Sequence, residues 1–497
     1  MQALIHPLTE LADYEEIVKN KRKGPGAIRI LGCVNSQKTH MMYGLSDGCR
    51  YKVIICSSES KAKQIYEEYR FLDRSVYLYP AKDLLFYQAD LRSKELVRER
   101  MEVLEAVIEG RPLTVVASFD ALMDSLLPKE IIAGRTIRVS YDGTLELSAM
   151  EKALADLGYE RVVQIEGPGQ FAVRGGILDV FPLTEELPVR IELWGDEVDS
   201  IRTFDVESQR SIENLTEASI CPSIEFPGEG EQGVSFLDYF PADETLLFLD
   251  EPVRLMEKGQ GVEEEFIEAQ KKRVESGYEL KDGEVRLYGT EEILNRINTY
   301  SSIGFYALDM RCKGLLIRES YHIQAKSVNP YNSSFELLTQ DLKRLKRNGY
   351  RVVLLSGSRT RAKRLAEDLR DYNLSSYYSD DLDRLAEPGE IMTAYGHVAE
   401  GYEYPMLKFT VISETDIFGK VKKKKKRKTY EGRKIQSFSE LKPGDYVVHE
   451  NHGLGIYQGI EKIEVDKITK DYMKISYAQG GNLYIPATQL DLIQKYA

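Results

Sequence analysis

Several things are scarce or missing in these 497 residues. No run of about 18 apolar residues occurs, so no transmembrane helix and no membrane partner are expected. The opening stretch, MQALIHPLTELADYEEI, carries acids and lacks an apolar core, so no secretory signal is expected. The five cysteines (Cys33, Cys49, Cys56, Cys221 and Cys312) are odd in number, scattered and never in CxxC spacing. That argues against a zinc ribbon or a disulfide framework and for a reducing cytoplasm. Six histidines form no HExxH. His449 and His452 stand three apart in HENH, with no cysteine or third histidine nearby, so no metal site is expected there. No GxSxG or Ser/His/Asp arrangement stands out, and no catalytic residues are assigned.

What is present is ordinary globular material. The chain is 42% hydrophobic and 30% charged, enough to bury several cores. Its length implies three to four domains at roughly 100–200 residues each. Acids outnumber bases, 80 to 67, for a net charge of -13. One segment opposes that average. Residues 420–434 hold ten basic residues and one acid, a local charge of +9, so the remainder carries -22. Such a block repels itself and suits an extended linker. It could also neutralise phosphates in a sequence-blind way, which keeps a DNA-binding module as an alternative.

Hydrophobic periodicity divides the chain. Residues 1–125 alternate short apolar strands (AIRIL, YKVIIC, LTVVA) with amphipathic helices, which predicts an α/β domain with a largely parallel sheet. Residues 126–215 are strand-rich with Gly175-Gly176 and Gly195-Asp196 turns. Residues 216–325 return to a mixed pattern, with a polar, solvated helix at Glu263–Ser276, and 326–415 form a small α/β unit. A basic linker covers 416–438. From 439 to 497 the glycine-rich, alternating pattern predicts a small β-barrel closed by a short helix near Gln489–Lys495. There Tyr472, Lys474 and Ser476 face one way, and Met473, Ile475 and Tyr477 the other.

The first strand is followed by Gly32-Cys33-Val34-Asn35-Ser36-Gln37-Lys38-Thr39. A phosphate-binding loop requires G-x-x-x-x-G-K-[ST] in this place. Gly32, Lys38 and Thr39 fit, but Gln37 stands where the second glycine lets the backbone approach phosphate. The loop reads as a phosphate-loop scaffold that has lost its binding, with a weak nucleotide site as the alternative. Asp250-Glu251, after an apolar strand, has the form of a Mg²⁺-binding acidic pair. Beside a disabled loop these acids read instead as turn residues or surface charges.

Two longer stretches carry a resemblance. GQFAVRGGILDVFP and RIELWGDEVDSIRTFDVESQR, within 169–210, resemble the second domain of the excision-repair protein UvrB. LKPGDYVVHENHGLGIYQGIEKI through DYMKISYAQGGNLYIPATQLDLIQKY, within 441–497, resembles the RNA polymerase interaction domain of CarD-type regulators. One family joins the two in this order, the bacterial transcription-repair coupling factors (Mfd), and the resemblance covers essentially the whole chain. Relative to UvrB, Ala172 replaces an Arg and Gly176 replaces an Asp, so UvrB's contact residues carry over in part.

The resemblance implies a multidomain α/β fold: a UvrB-like α/β domain with a strand-rich insert, a small α/β domain and a small SH3/Tudor-like barrel. It implies a non-catalytic adaptor with two partners. UvrA would dock on the insert, with Arg161, Arg174 and Phe181 as anchors, although core packing is the competing reading for Phe181. The β subunit of RNA polymerase would add along an exposed edge at Asp471–Ile475, with Tyr472, Met473, Lys474 and Ile475 as contacts. Met473 and Ile475 could instead face the core. The family's ATP-dependent DNA translocase motor, with its ATP, Mg²⁺ and double-stranded DNA, is expected outside these residues. A nucleotide-dependent, helicase-like enzyme is the alternative.

Overall fold

The computed structural model describes residues 1–82, 94–227, 230–275, 287–419, 432–434, 443–449, 453–465, 468–477, 482–486 and 493–496. Met1–Leu85 and Ser93–Lys420 make up one compact unit, and Val421–Ala497 belong to a second.

The first unit is built on a seven-stranded, wholly parallel sheet. Its order is Ile317–His322, Gly26–Leu31, Ser301–Tyr306, Thr245–Asp250, Tyr51–Cys56, Leu113–Ser118, Val76–Tyr79. Parallel strands are covered on both faces and so read as continuous apolar runs. LTVVAS, TLLFLD and SSIGFY are buried at every position. The Glu59–Leu72 helix starts on Ser58, whose hydroxyl accepts from the Lys61 amide.

A second sheet in the same unit runs Lys326–Ser327, Tyr402–Tyr404, Phe409–Ser413, Arg351–Ser356, Ile391–Tyr395, Ser376–Ser379, with the last four parallel. The Phe335–Arg347 helix buries Leu338, Leu342 and Leu345, the stripe its spacing predicts. The two sheets share one core, in which Ile28, Ile30 and Phe248 join Val353, Met392 and Val411.

The strand-rich insert is a six-stranded sheet, ordered Ser211–Leu215, Glu197–Phe204, Val189–Trp194, Ile177–Phe181, Gln170–Arg174, Glu160–Arg161. All its pairs are antiparallel except the last. A helix absent from the sequence reading, Leu147–Asp156, covers one face. Met150 and Leu154 pack there on Phe171, Leu178, Val180 and Ile191.

The second unit holds an antiparallel sheet ordered Gly432–Lys434, Ile493–Tyr496, Tyr446–His449, Gly453–Val465, Ile468–Ser476, Asn482–Pro486. Ile493–Tyr496 is therefore a strand, where a helix was expected near Gln489–Lys495, because both its sides find ladder partners. Most of the 416–438 stretch, including the lysine run, lies outside the described residues. Two pieces are described: the Glu414–Phe418 helix reaches into it, and Gly432–Lys434 pairs with Ile493–Tyr496. Among the described residues no helix is long and apolar enough to cross a membrane, and no group of three metal-ligating side chains occurs.

A buried charge cluster ties the main sheet to the return from the insert. Arg100, fully buried on the Lys94–Ile108 helix, donates through Nε to both Glu225 oxygens at 2.8 and 2.9 Å. Its guanidinium lies 4.3 Å from the Tyr79 ring centroid. Nη2 also lies 2.9 Å from Asp124 Oδ2, but that pair lacks hydrogen-bond alignment. Desolvation therefore dominates at Asp124 and pushes its pKa up to about 6, against the pull of Arg100.

Two outcomes follow. Arg100→Met should cost about 3–5 kcal/mol by urea denaturation, because it strands two buried carboxylates. Asp124 binds its proton more tightly folded than unfolded, so its unfavourable contribution is full above about pH 6 and fades as pH falls toward 4. Asp124→Asn should flatten the pH dependence of stability in that window. An unchanged slope would contradict this reading.

Candidate functional site

In open parallel sheets, ligands bind beyond the carboxyl ends of the strands. Here that crevice holds a pocket of about 490 Å³, bordered by Cys33, Asn35, Lys38, Ser57, Asp250 and Glu251 among others. Its floor is the degenerate loop. Gly32 has φ +78°, and a Cβ there would sit 2.2 Å from the Ile323 carbonyl oxygen, so this glycine is required. The Asn35–Gly44 helix begins three residues later.

Lys38 is engaged internally. Its ammonium, nearly buried, donates to Asp250 Oδ1 at 2.7 Å and to Glu251 Oε1 at 2.6 Å. Burial alone would depress the lysine pKa, but the two carboxylates outweigh it and hold it above its ordinary value. Asp250 ends the central Thr245–Asp250 strand and is buried, and Glu251 also accepts from the Ala307 amide at 2.8 Å. The reading of these acids as turn residues or surface charges is thus corrected: they neutralise Lys38.

Gln37 is fully buried. Its Oε1 accepts from the Val34 amide and its Nε2 donates to the Tyr404 hydroxyl, both at 3.1 Å. His40 Nδ1 lies 3.0 Å from the same hydroxyl and Nε2 lies 2.7 Å from the Leu4 carbonyl oxygen. Burial lowers the His40 pKa to about 4, so the ring is neutral. The carbonyl can only accept, so the proton sits on Nε2, and Tyr404 donates to Nδ1 while accepting from Gln37. Ser36 donates to Glu68 Oε1 at 2.6 Å and accepts from the Glu400 amide at 3.1 Å. Thr39 is buried, its hydroxyl has no hydrogen-bond partner, and it does not border the pocket.

This donor set does not fit ATP with Mg²⁺. The residue that would hold β- and γ-phosphates is spent on two carboxylates, and the bases left along the pocket, Lys61 and Arg254, lie outside the loop. Gln37 fills the cradle and bolts the loop to the second sheet.

On the insert, the three expected anchors do not form one patch. Side chains alternate across a strand. Arg161 is exposed and pairs with Glu151, on the helix that covers one face, with Nη1 to Oε2 at 3.0 Å. Arg174 lies on the opposite face and donates to Asp179 Oδ2 at 2.8 Å. Arg190 forks onto the same carboxylate at 2.7 and 2.9 Å. Phe181 is 7% exposed and packs with Ile165, Ala172 and Phe204. It belongs to the core reading: its ring is spent on a small cluster under the sheet end and offers no area to a partner. Sequence reasoning missed Trp194. It is the chain's one tryptophan, is 83% exposed, and by alternation shares the face of Arg174 and Arg190. Its position beside the Gly195-Asp196 turn was the available signal.

In the second unit, Ile468–Ser476 is not an edge. Residues 472–475 pair with Gly453–Val465 on one side and Asn482–Pro486 on the other. Met473 and Ile475 are fully buried with Val447 and Tyr457, so their expected role as exposed contacts is corrected. The Lys474 ammonium lies 5.6 Å from the centroid of the Tyr484 ring, on Asn482–Pro486, which pairs on one side only among the described residues. Tyr472 lies on the same inner strand, and its side chain is outside the described residues.

A family model for the UvrB interaction domain matches residues 137–226, and one for the CarD-like/TRCF RID domain matches 441–497. The transcription-repair-coupling factor of Bacillus subtilis (strain 168) is 30% identical over 98% of this chain and 47% of its own length. Those of Staphylococcus haemolyticus (strain JCSC1435) and Staphylococcus aureus (strain MRSA252) are each 27% identical over 86% of this chain and 41% of their own. The chain spans less than half the length of these relatives. Nearly all of this chain is similar to transcription-repair-coupling factors, and the UvrB interaction and CarD-like/TRCF RID models both match within it.

Proposed function

We propose that this stretch of chain is a non-catalytic adaptor in transcription-coupled DNA repair, docking UvrA at one end and the β subunit of RNA polymerase at the other. The observation that carries this reading is the closed loop. Lys38 is neutralised by Asp250 and Glu251, and Gln37 is bonded to Tyr404, while both recognition domains keep polar surface open. ATP, Mg²⁺ and double-stranded DNA would belong to the remaining length of such relatives.

The UvrA surface would be the face of the insert sheet away from the Leu147–Asp156 helix. Arg174 and Arg190 share one carboxylate, which leaves a net positive charge and unused N–H donors for a partner's acids. Trp194 on the same face supplies the large apolar contact that Phe181 cannot. Arg161 would lie at the margin. The polymerase surface would be the Asn482–Pro486 edge, where a strand of the partner adds, with Lys474 and Tyr484 beside it. The boundaries 1–125, 126–215, 216–325, 326–415, 416–438 and 439–497 are the working division into modules, with 416–438 as a tether.

A pull-down against UvrA and against polymerase β tests the two ends. Arg174→Glu and Trp194→Ala should each weaken UvrA capture about 10-fold or more and leave polymerase capture intact. Lys474→Glu with Tyr484→Ala should do the reverse. Loss of both partners in any one variant, with circular dichroism unchanged, would contradict a two-ended adaptor. The loop makes its own prediction: Lys38→Met strands two acids in the crevice and should lower stability by about 3–5 kcal/mol at pH 7 by denaturant titration. A neutral effect would mean that the triad does not hold the crevice closed.

A further inference from the structure

On the polar face of the insert sheet, one buried carboxylate organises two arginines. Arg190 lies directly opposite Asp179 on the neighbouring strand. Arg174 lies opposite Ile177, so Asp179 is its diagonal neighbour. Long side chains span both spacings. Asp179 is 1% exposed. Its Oδ1 accepts from Arg190 Nε at 2.7 Å, and its Oδ2 accepts from Arg190 Nη2 at 2.9 Å and from Arg174 Nη2 at 2.8 Å. Three charge-assisted bonds fix a carboxylate in place.

The two arginines are not equivalent. Arg190 is 16% exposed. Its Nη2 also donates to Gln209 Oε1 at 2.9 Å, and its guanidinium carbon lies 4.4 Å from the centroid of the buried Phe204 ring. Gln209 is held in turn, since its Nε2 donates to the Val206 carbonyl at 2.8 Å. Most of the Arg190 fork is thus spent inside the insert. Arg174 is 49% exposed and gives one N–H to Asp179. Its other donors make no hydrogen bond among the described residues. They are enough to take a carboxylate from outside with two parallel bonds.

We propose that Asp179 and Arg190 are positioning residues for the UvrA surface: Asp179, clamped by Arg190, holds the Arg174 guanidinium ready for one carboxylate of the partner, and Arg190 does not touch the partner. This rests on the reading of this face as the UvrA surface. A free arginine side chain loses its rotamer freedom when a partner binds, and that loss weakens affinity. On Asp179 the freedom is already gone in the unbound protein.

Charge alone predicts the opposite response. Two guanidiniums and one carboxylate sum to +1, and Asp179→Asn raises the sum to +2. If the face worked by charge alone, an acidic partner would bind that variant more tightly. Positioning makes it weaker, because Asn keeps the shape but offers a single acceptor oxygen to two arginines.

The test is a double-mutant cycle on UvrA affinity, by surface plasmon resonance with the whole 497-residue chain. Asp179→Asn should weaken UvrA binding about 3–10-fold. Added to Arg174→Ala, it should change nothing further, since no side chain remains to be positioned. Arg190→Gln leaves the buried carboxylate in place and should follow the same pattern, which keeps the test decisive if Asp179→Asn disturbs the fold. A merely structural role would weaken binding in both backgrounds. The proposal is overturned if Asp179→Asn binds as tightly as the unmodified chain or more so, or if Arg174→Ala alone leaves affinity unchanged. It is also overturned if Arg190→Gln still weakens binding in the Arg174→Ala background, which would make Arg190 a direct contact. An unmodified chain that does not bind UvrA would sink the adaptor reading and this inference together. Binding that is intact and indifferent to Asp179→Asn would sink this inference alone.

Discussion

The contact on which the account turns is the buried ammonium of Lys38 between Asp250 and Glu251. It joins the loop after one strand of the parallel sheet to the end of another, at the point where such sheets place their ligands. A lysine there has two stable fates: a phosphate supplied from solution, or carboxylates supplied by the chain. This protein has the second. Desolvation would favour neutral lysine, yet two carboxylates within 2.7 Å keep it charged, and the lysine needs no ligand to balance it.

The other substitution at the loop follows the same logic. Gln37 puts a side chain where a backbone approach would be needed, then bonds it to Tyr404 of the second sheet. Tyr404 in turn fixes the His40 tautomer, and the neighbouring Ser36 hydroxyl reaches Glu68 and Glu400. The loop that resembles a phosphate-binding pattern is here a seam between two α/β sheets with a common core. On the proposed reading, binding falls to exposed surfaces, where a rigid scaffold can present groups without moving them.

How much of this was legible in the sequence depended on the range of the interactions. The buried parallel strands and the Leu338–Leu342–Leu345 stripe were readable because their signals are local. The loss of the second glycine at Gln37 was readable because a motif fixes its spacing. The fate of Asp250 was not, since its partner lies 212 residues away and no local pattern pairs them. The alternation of 472–477 correctly separated Met473 and Ile475 from Lys474, but not which set faced the core. Whether that strand was an edge depends on ladder partners at 453–465 and 482–486 that periodicity does not reveal. Phe181 illustrates the same limit: an aromatic ending an apolar run fits a core and a docking face equally well until its neighbours are placed. Trp194 was overlooked because a lone aromatic before a turn carries no periodic signal.

The claim that the chain supplies its own substitute for phosphate is tested most directly by melting the protein in the presence of ATP and Mg²⁺. A ligand that binds the native state at a hundred times its Kd stabilises it by about 2.7 kcal/mol, which raises Tm by a few degrees. Tm should not move with millimolar ATP·Mg²⁺. A rise that grows with nucleotide concentration and disappears in Lys38→Ala would contradict it.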